Sequence, residues 1–397
     1  FGMPESSPMT KVLFPPAGHI GGTCSPARAR IPPVEDSAPF QLFAGNGSLE
    51  LAQKVAMCLG MELSPLKLGR FNDGEISLQI PESCRNEHVF IVQSTSPPVN
   101  ETLMELLIMV RTFRRASART ISAVIPYYGY ARQDRKTAAR VPISASDVAM
   151  LMEAAGVDRV LSVDLHCAQI QGFFHNLPVD NLTAQVEMCP WAVKHFFDSK
   201  DDNFCVVSPD AGGVGRAKVF LEALVALGCE NGTLAITIKH RSGPGSIEAM
   251  NVVGEVAGRH CLIVDDICDT AGTMCKSADT LIELGALSVS ACVTHPVFSP
   301  PALDRIAASK LRCVLVSDSI PLKEGACDKI KQVSLCRLLA ESIRCITSGS
   351  SISSLFMLPR SLADTTAPRG ASPELVGGSP PAGSLPMSKA GLASNNP

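Results

Sequence analysis

The sequence has no uninterrupted apolar run of about 18 residues, the length that spans a bilayer. Its most apolar helical stretch, residues 103–110, is broken by Glu105. No transmembrane helix is therefore expected. It also lacks an excess of positive charge: 35 Lys and Arg stand against 38 Asp and Glu, a net charge of −3. That argues against a protein built to coat nucleic acid. No Cys-x-x-Cys pair occurs, and the 15 cysteines are scattered and odd in number. A secreted disulfide framework and a zinc site are both disfavoured, and buried thiols in a reducing compartment are expected instead. What is present is a globular composition, 46% hydrophobic and 18% charged over 397 residues, long enough for two domains with separate cores.

The ends differ from the middle. Residues 1–37 and 358–397 are rich in Pro, Gly, Ser and Ala without periodicity, and are expected to be disordered tails. The first tail has a second reading, a transit peptide, so the expected location is cytoplasmic, or organellar if that reading holds. Between them, strands alternate with helices. Apolar or β-branched runs at 40–44, 88–93, 120–126, 159–164, 203–207, 233–238, 261–264, 288–294 and 311–316 predict strands. Helix patterns cover 48–59, closed by Gly60, and 274–284. Another is capped by Asn100, with Leu103, Leu106, Leu107, Val110 and Phe113 as its stripe, and a further one by Ser144, ending near Gly156. Alternation of this kind implies an α/β fold, a mostly parallel sheet covered on both faces. A faint echo links the strand ending Ile125-Pro126 and a loop reaching Arg135 to the strand ending His295-Pro296 and a loop reaching Arg305. A duplicated domain would produce it, and so would chance.

The sharpest segment is Cys261-Leu-Ile-Val-Asp-Asp-Ile-Cys-Asp-Thr-Ala-Gly-Thr273. A buried strand runs into Asp265 and Asp266, and Asp269, Thr270, Gly272 and Thr273 follow just before a helix. Backbone N–H groups of such a turn, with the helix N-terminus behind them, bind a phosphate monoester. The leading carboxylates suit ribose hydroxyls or the waters of a Mg²⁺ ion. Ligands of open α/β sheets bind at this edge. The competing reading is an acidic cap on a solvated turn. Arg132 and Gln133 follow another strand, amid Arg135, Lys136 and Arg140, and a guanidinium there can hold phosphate oxygens. His166 and Asp210 each fall just after a strand. Lys239 and Arg241 flank His240 ahead of Ser242-Gly-Pro-Gly245. Two cations on such a loop suit closure over a diphosphoryl group in flight. Phe71-Asn-Asp-Gly-Glu75 taken alone is a hairpin turn.

The 261–273 segment resembles the phosphoribosyl-diphosphate loop of type I phosphoribosyltransferases. Residues 40–357 further resemble ribose-phosphate diphosphokinases along nearly their whole length. The likeness rests on Phe71-Asn-Asp-Gly-Glu75, Tyr130-Ala-Arg-Gln-Asp-Arg-Lys136, Val163-Asp-Leu-His166, Gln169-Ile-Gln-Gly-Phe173, Pro178-Val-Asp-Asn181, Ser208-Pro-Asp-Ala-Gly-Gly213 and Lys239-His-Arg241. It implies two tandem type I phosphoribosyltransferase-like domains, 38–180 and 181–357. The implied reaction moves the diphosphoryl group of ATP to the 1-hydroxyl of ribose 5-phosphate.

It also implies roles. ATP would be held by Arg132, Gln133 and His166, and by Phe71, Asp73, Gly74 and Glu75 from a neighbouring subunit. His166 and Asp210 would ligate Mg²⁺. Ribose 5-phosphate would be held by Arg241, Asp265, Asp266, Asp269, Thr270, Ala271, Gly272 and Thr273. Lys239 and Arg241 would be catalytic. A homo-oligomer, a hexamer built from dimers, is implied, with a regulatory pocket for ADP or phosphate using Ser351, Ser353 and Phe356. No nucleic-acid or membrane partner is expected. Two departures stand out: His240, where the family commonly carries a charged residue, and the stretch Phe174-His-Asn-Leu-Pro178, one residue longer than usual and lacking an Asp. Rival readings are a phosphoribosyltransferase, or a non-catalytic subunit of a diphosphokinase.

Overall fold

In a computed structural model the protein is described over residues 40–197, 199, 202–240, 249–322 and 325–356; for Lys239, His240, Ala249, Ser354 and Phe356 only the backbone is described. The expected tails, 1–37 and 358–397, and Arg241 lie outside these residues. The first half runs β1 (Phe40–Ala44), α1 (Leu49–Leu59), β2 (Lys67–Arg70), β3 (Ile76–Gln79), β4 (His88–Val92), α2 (Val99–Arg115), β5 (Thr120–Ile125), α3 (Ser144–Ala155), β6 (Arg159–Val163), β7 (Val179–Leu182) and α4 (Gln185–Phe196). The second runs β8 (Phe204–Ser208), α5 (Val214–Ala226), β9 (Gly232–His240), β10 (Ala249–Val253), β11 (His260–Cys268), α6 (Gly272–Glu283), β12 (Ser288–Pro296), α7 (Ala302–Ala308), β13 (Val314–Ser317), β14 (Ile330–Val333) and α8 (Cys336–Thr347).

Among the described residues the first sheet has the order β1-β4-β5-β6-β7, all parallel, and β2 and β3 form a separate antiparallel hairpin. The second has the order β10-β9-β8-β11-β12-β13-β14, parallel except for β10 against β9. Set side by side, the halves repeat one plan: strand, helix, hairpin, then alternating strands and helices. The hairpin β2–β3 corresponds to β9–β10, and β5 corresponds to β12, which are the two strands of the sequence echo. The fold is α/β, with two mostly parallel sheets flanked by helices.

The halves are welded by their last helices. The final helix of the first half, α4, packs on α5, β13 and β14, while α8 packs on α1. One apolar core accordingly joins Leu42, Phe90 and Val124 of the first sheet to Phe204, Leu262 and Leu315 of the second. Separate cores lie under α2–α3 and under α6–α7. The expected division at 180/181 falls within β7, because β7 completes the first sheet. Lys54 on α1 adds an ion pair to Asp318 at 3.1 Å, in the segment after β13.

Local expectations fared unevenly. Gly60 ends α1 with φ 73°, where a residue with a Cβ would be strained. Asn100 does not cap α2: the cap position is Pro98, and Asn100 is the second helical residue, its Oδ1 accepting from the Tyr130 hydroxyl. Ser144 likewise opens α3 rather than capping it, and its hydroxyl donates to Gln133 Oε1 at 2.5 Å. Glu105 is buried, and its carboxylate accepts from the Asn46 N–H, from Asn46 Nδ2 and from Gln93 Nε2 at 2.7–2.8 Å. A charge in the apolar stripe of α2 is tolerated because its lone pairs are met.

His295, buried at the end of β12, reaches across the halves. Its Nε2 lies 3.1 Å from the Val163 carbonyl and its Nδ1 2.9 Å from Ser319 Oγ, with Tyr127 against its ring. His295→Leu keeps the bulk and orphans these groups. It should lower unfolding stability by about 2–4 kcal/mol in urea titrations. Burial holds the imidazole below its ordinary pKa. The unfolded chain therefore takes up a proton that the folded site refuses. The wild-type stabilisation should be complete above the ordinary histidine value, near 6.5, and fall as pH drops below it; the variant should lose that dependence.

Candidate active site

Apart from Ser351, Ser353 and Phe356, which follow α8, every expected site residue that is described lies at or past the carboxyl end of a strand, or on a hairpin. From β11 come Asp265 and Asp266, then the turn 269–273 opening α6. Ala271 takes the left-handed conformation, φ 59°, at the cap position of α6. Gly272 follows as the first helical residue, and a Cβ there would sit 3.3 Å from Arg305 Nη1. Arg305 in turn donates to the Thr270 carbonyl at 3.0 Å, so a side chain of α7 fixes the outer wall of the turn. Asp265 and residues 267–274 bound a cavity of about 170 Å³ at this helix N-terminus, the position that favours an anion.

Arg132, in the loop after β5, ion-pairs with Asp269 at 2.6 Å. Burial works against the Asp269 carboxylate, but hydrogen bonds from Ser299 and Arg132 hold its pKa below the ordinary value. Gln133 is pinned by Ser144 as above. The loop of the first half is thus brought onto the turn of the second, across 137 residues of sequence.

His166 follows β6, and its Nδ1 lies 2.7 Å from Asp266 Oδ2. That hydrogen bond raises the imidazole pKa, against the effect of burial. Asp266 is driven the other way: burial alone would raise its pKa, but the hydrogen bond to His166 and the charge of Arg216 bring it well below the carboxylate range. Asp265 is pushed up by burial and by the charge of Asp266 beside it. Asp164, two residues before His166, is not its partner; its Oδ2 accepts instead from Thr294 Oγ1 at 2.7 Å and from the Ala184 N–H at 3.2 Å.

After β8 the loop is wound by its own polar groups. Ser208 Oγ donates to the Asp210 carbonyl at 2.6 Å, and Asp210 Oδ1 accepts from the Gly213 N–H at 3.0 Å. A Cβ on Gly213 would meet Ser208 Oγ at 2.8 Å, so this winding requires glycine there. Asp210 is exposed. Sequence reasoning passed over Arg216. It sits in the first turn of α5, its Nη1 3.1 Å from Asp265 Oδ1 and 3.2 Å from Asp266 Oδ1. The available signal was its position: a cation at a helix N-terminus opposes the macrodipole and needs a carboxylate partner.

Lys239 lies near the end of β9, paired with Met250 of β10; its side chain and Arg241 are outside what is described. Phe71 is at the tip of the β2–β3 hairpin and 58% exposed. The backbone hydrogen bonds of this tip close within it, Phe71 N–H to Glu75 O and Gly74 N–H to Phe71 O, and Asp73 Oδ1 accepts from the Glu75 N–H. Ser351 and Ser353 lie past α8, where the Ser353 N–H and hydroxyl meet Ser351 Oγ at 3.2 and 3.1 Å. Among the described residues no cluster of three or more His, Cys, Asp or Glu side chains could hold a metal by itself, and no helix is long and apolar enough to cross a membrane.

A turn at a helix N-terminus in one half, met by a cationic loop and an imidazole from the other, makes a site divided between the halves and suited to group transfer between anionic substrates. Residues 40–156 match the N-terminal domain of ribose phosphate pyrophosphokinase, and residues 238–357 match the phosphoribosyl synthetase-associated domain. The chain is 48% identical over 319 residues to a ribose-phosphate pyrophosphokinase of Caldanaerobacter subterraneus subsp. tengcongensis, which covers 80% of this chain and 98% of that one. It is 49% identical over 323 residues to a protein of the same name from Ralstonia nicotianae, covering 81% and 99%. The crystal structure of phosphoribosylpyrophosphate synthetase from Mycobacterium smegmatis superposes with a TM-score of 0.73 at 38% identity, over 78% of this chain and 99% of that one. The chain belongs to the ribose-phosphate pyrophosphokinase family. Its reaction is transfer of the diphosphoryl group of ATP to the 1-hydroxyl of ribose 5-phosphate, giving AMP and 5-phosphoribosyl 1-diphosphate.

Proposed function

We propose that this reaction is divided between the two halves. The 5-phosphate of ribose 5-phosphate occupies the turn of Asp269, Thr270, Ala271, Gly272 and Thr273, and Asp265 orients the ribose hydroxyls. The phosphates of ATP lie on Arg132, Gln133, His166 and the Asp210 loop. The 1-oxygen attacks the β-phosphorus in line, while Lys239 and Arg241 stabilise the developing charge. Alignment of the two substrates supplies much of the acceleration. The observation that carries this is the 2.6 Å pair between Arg132 and Asp269, which sets the nucleotide loop beside the sugar-phosphate turn. The test is release of AMP from ATP: it should require ribose 5-phosphate, and AMP formed equally well without the sugar would remove the reading.

The donor set fits Mg²⁺. One imidazole and one exposed carboxylate, with no third protein ligand among the described residues, suit an ion that keeps waters and substrate oxygens as its other ligands. His166 and Asp210 would hold it. Bound there, it would draw charge from the phosphate oxygens of ATP.

The hairpin tip supports a shared site. Phe71, Asp73, Gly74 and Glu75 serve the adenine of a neighbouring copy, so the active form is a homo-oligomer, a hexamer in this reading. Phe71→Ala should raise the Michaelis constant for ATP about tenfold or more through lost stacking area. At ATP concentrations well below that raised constant, a mixture of Phe71→Ala with Arg132→Ala should be more active than the sum of the two variants assayed apart, because some sites then receive intact residues from both chains. A fully active monomer in sedimentation at assay concentration would sink this arrangement. Ser351, Ser353 and Phe356 belong in the same reading to a regulatory pocket for ADP or phosphate. Inhibition by ADP should persist at saturating ATP and weaken in Ser351→Ala/Ser353→Ala; inhibition that ATP fully overcomes, equal in both proteins, would dismiss the pocket.

A further inference from the structure

The two adjacent aspartates of β11 face different surroundings. Asp265 lines the cavity at the start of α6, and Asp266 does not. The Asp266 side chain is 4% exposed, and both its oxygens are engaged: Oδ2 with His166 Nδ1 at 2.7 Å and Oδ1 with Arg216 Nη1 at 3.2 Å. With so little of the side chain exposed, a ribose hydroxyl has scant access to Asp266. The alternation of a strand accounts for the split, since neighbours along β11 point to opposite faces.

His166 comes from the first half and Asp266 from the second, so their bond crosses the molecule. A carboxylate accepting from Nδ1–H fixes the imidazole in the tautomer whose Nε2 keeps its lone pair. It also fixes the ring plane. An imidazole meant to act as a ligand requires both. Arg216, held by Asp265 and Asp266 together, supplies the positive charge that lets two carboxylates stand side by side.

We propose that Asp266 is a positioning residue for His166, setting its tautomer and orientation for the nucleotide side of the site, while Asp265 alone faces the ribose. This rests on the assignment of His166 to ATP and of the α6 turn to ribose 5-phosphate. It converts an apparently equivalent acidic pair into two residues with separate duties. Those duties separate the two Michaelis constants.

The experiment compares Asp266→Asn with Asp265→Asn in the full chain. Steady-state AMP release gives the Michaelis constants for ATP and for ribose 5-phosphate. Calorimetric titration with a non-hydrolysable ATP analogue and Mn²⁺ gives binding without turnover. Asp266→Asn should weaken analogue binding and raise the constant for ATP by about 10–100-fold, the usual effect of removing such a partner. Its constant for ribose 5-phosphate should stay within about threefold. Asp265→Asn should do the reverse. Combined with His166→Ala, Asp266→Asn should add nothing further to the loss of analogue binding, because it acts through that ring. If Asp266→Asn does not fold, Asp266→Glu keeps the charge, displaces the carboxylate and should show the same split. The inference is overturned if Asp266 variants raise the ribose 5-phosphate constant as much as Asp265→Asn does, or if Asp266→Asn and His166→Ala are additive in analogue binding. A wild-type chain without sugar-dependent AMP release would overturn the functional reading instead, and the binding cycle would still report whether Asp266 acts through His166.

Discussion

Lys239→Ala is expected to lower turnover by a factor on the order of 10³ or more, with little loss of ATP binding. A factor of that size corresponds to about 4 kcal/mol of transition-state stabilisation, the scale of a charge placed where negative charge develops. The backbone supports the assignment. Lys239 lies three residues past Ile236, where β9 leaves its pairing with Ser208 of β8, and it is still paired with Met250 of β10. The β9–β10 connection therefore opens from the strand end adjacent to the Asp210 loop. The equivalent hairpin of the first half, β2–β3, carries Phe71, Asp73 and Glu75. In both halves the same element presents residues assigned to the chemistry. Single-turnover and steady-state rates of AMP formation would measure the effect. Turnover within a few-fold of wild type would remove Lys239 from the mechanism.

Gly272→Val should raise the Michaelis constant for ribose 5-phosphate on the order of 100-fold and leave that for ATP within about threefold. The position for a Cβ lies 3.3 Å from Arg305 Nη1, so the first added carbon already presses on the guanidinium that holds the Thr270 carbonyl. The branched methyls would then intrude on the turn itself, where a phosphate must come close to backbone N–H groups. Gly272→Ala, with only the first carbon, should be milder, since the end of an arginine can yield. Initial-rate measurements with each substrate varied in turn decide it. An equal rise in both constants would show that residues 269–273 are misassigned.

The nature of the segments was largely legible in the chain. β4 and the Cys261–Val264 part of β11 are buried and appear as short apolar runs, because a parallel strand covered on both faces has no polar side to show. The turn at 269–273 was legible for a similar local reason: Asp269, Thr270, Ala271, Gly272 and Thr273 are contiguous, and the helix that follows them is their own. The hairpin β2–β3 was legible only as a turn at Asp73-Gly74, its strands being four residues each and half exposed. Helices α4, α5, α7 and α8 were not foreseen. In α4 a proline, Pro190, interrupts the local signal, and its apolar residues pack in the core shared with the other half of the molecule.

The sequence by itself determined the central strands of both sheets, the alternation, the turn at 269–273 and the set of ionisable residues proposed to carry the chemistry, since each depends on neighbours within a few positions, whereas β2, β3, β7, β10 and β14 were not foreseen as strands. Pairing among those residues was decided only by the tertiary structure. Asp164 is closer in sequence to His166, yet Asp266, 100 residues away, is its partner. Arg132 meets Asp269 across 137 residues, and Arg216 meets the acidic pair across 49. The reason is that the first two contacts form where two sheets present their carboxyl ends to each other, and the third where β8 and β11 end side by side. The meeting of the sheets depends on α4 and α8 each packing on the opposite half. A side chain's chemistry belongs to its residue type, whereas its partner, and so its charge and role, is set by the packing of elements far apart in the chain.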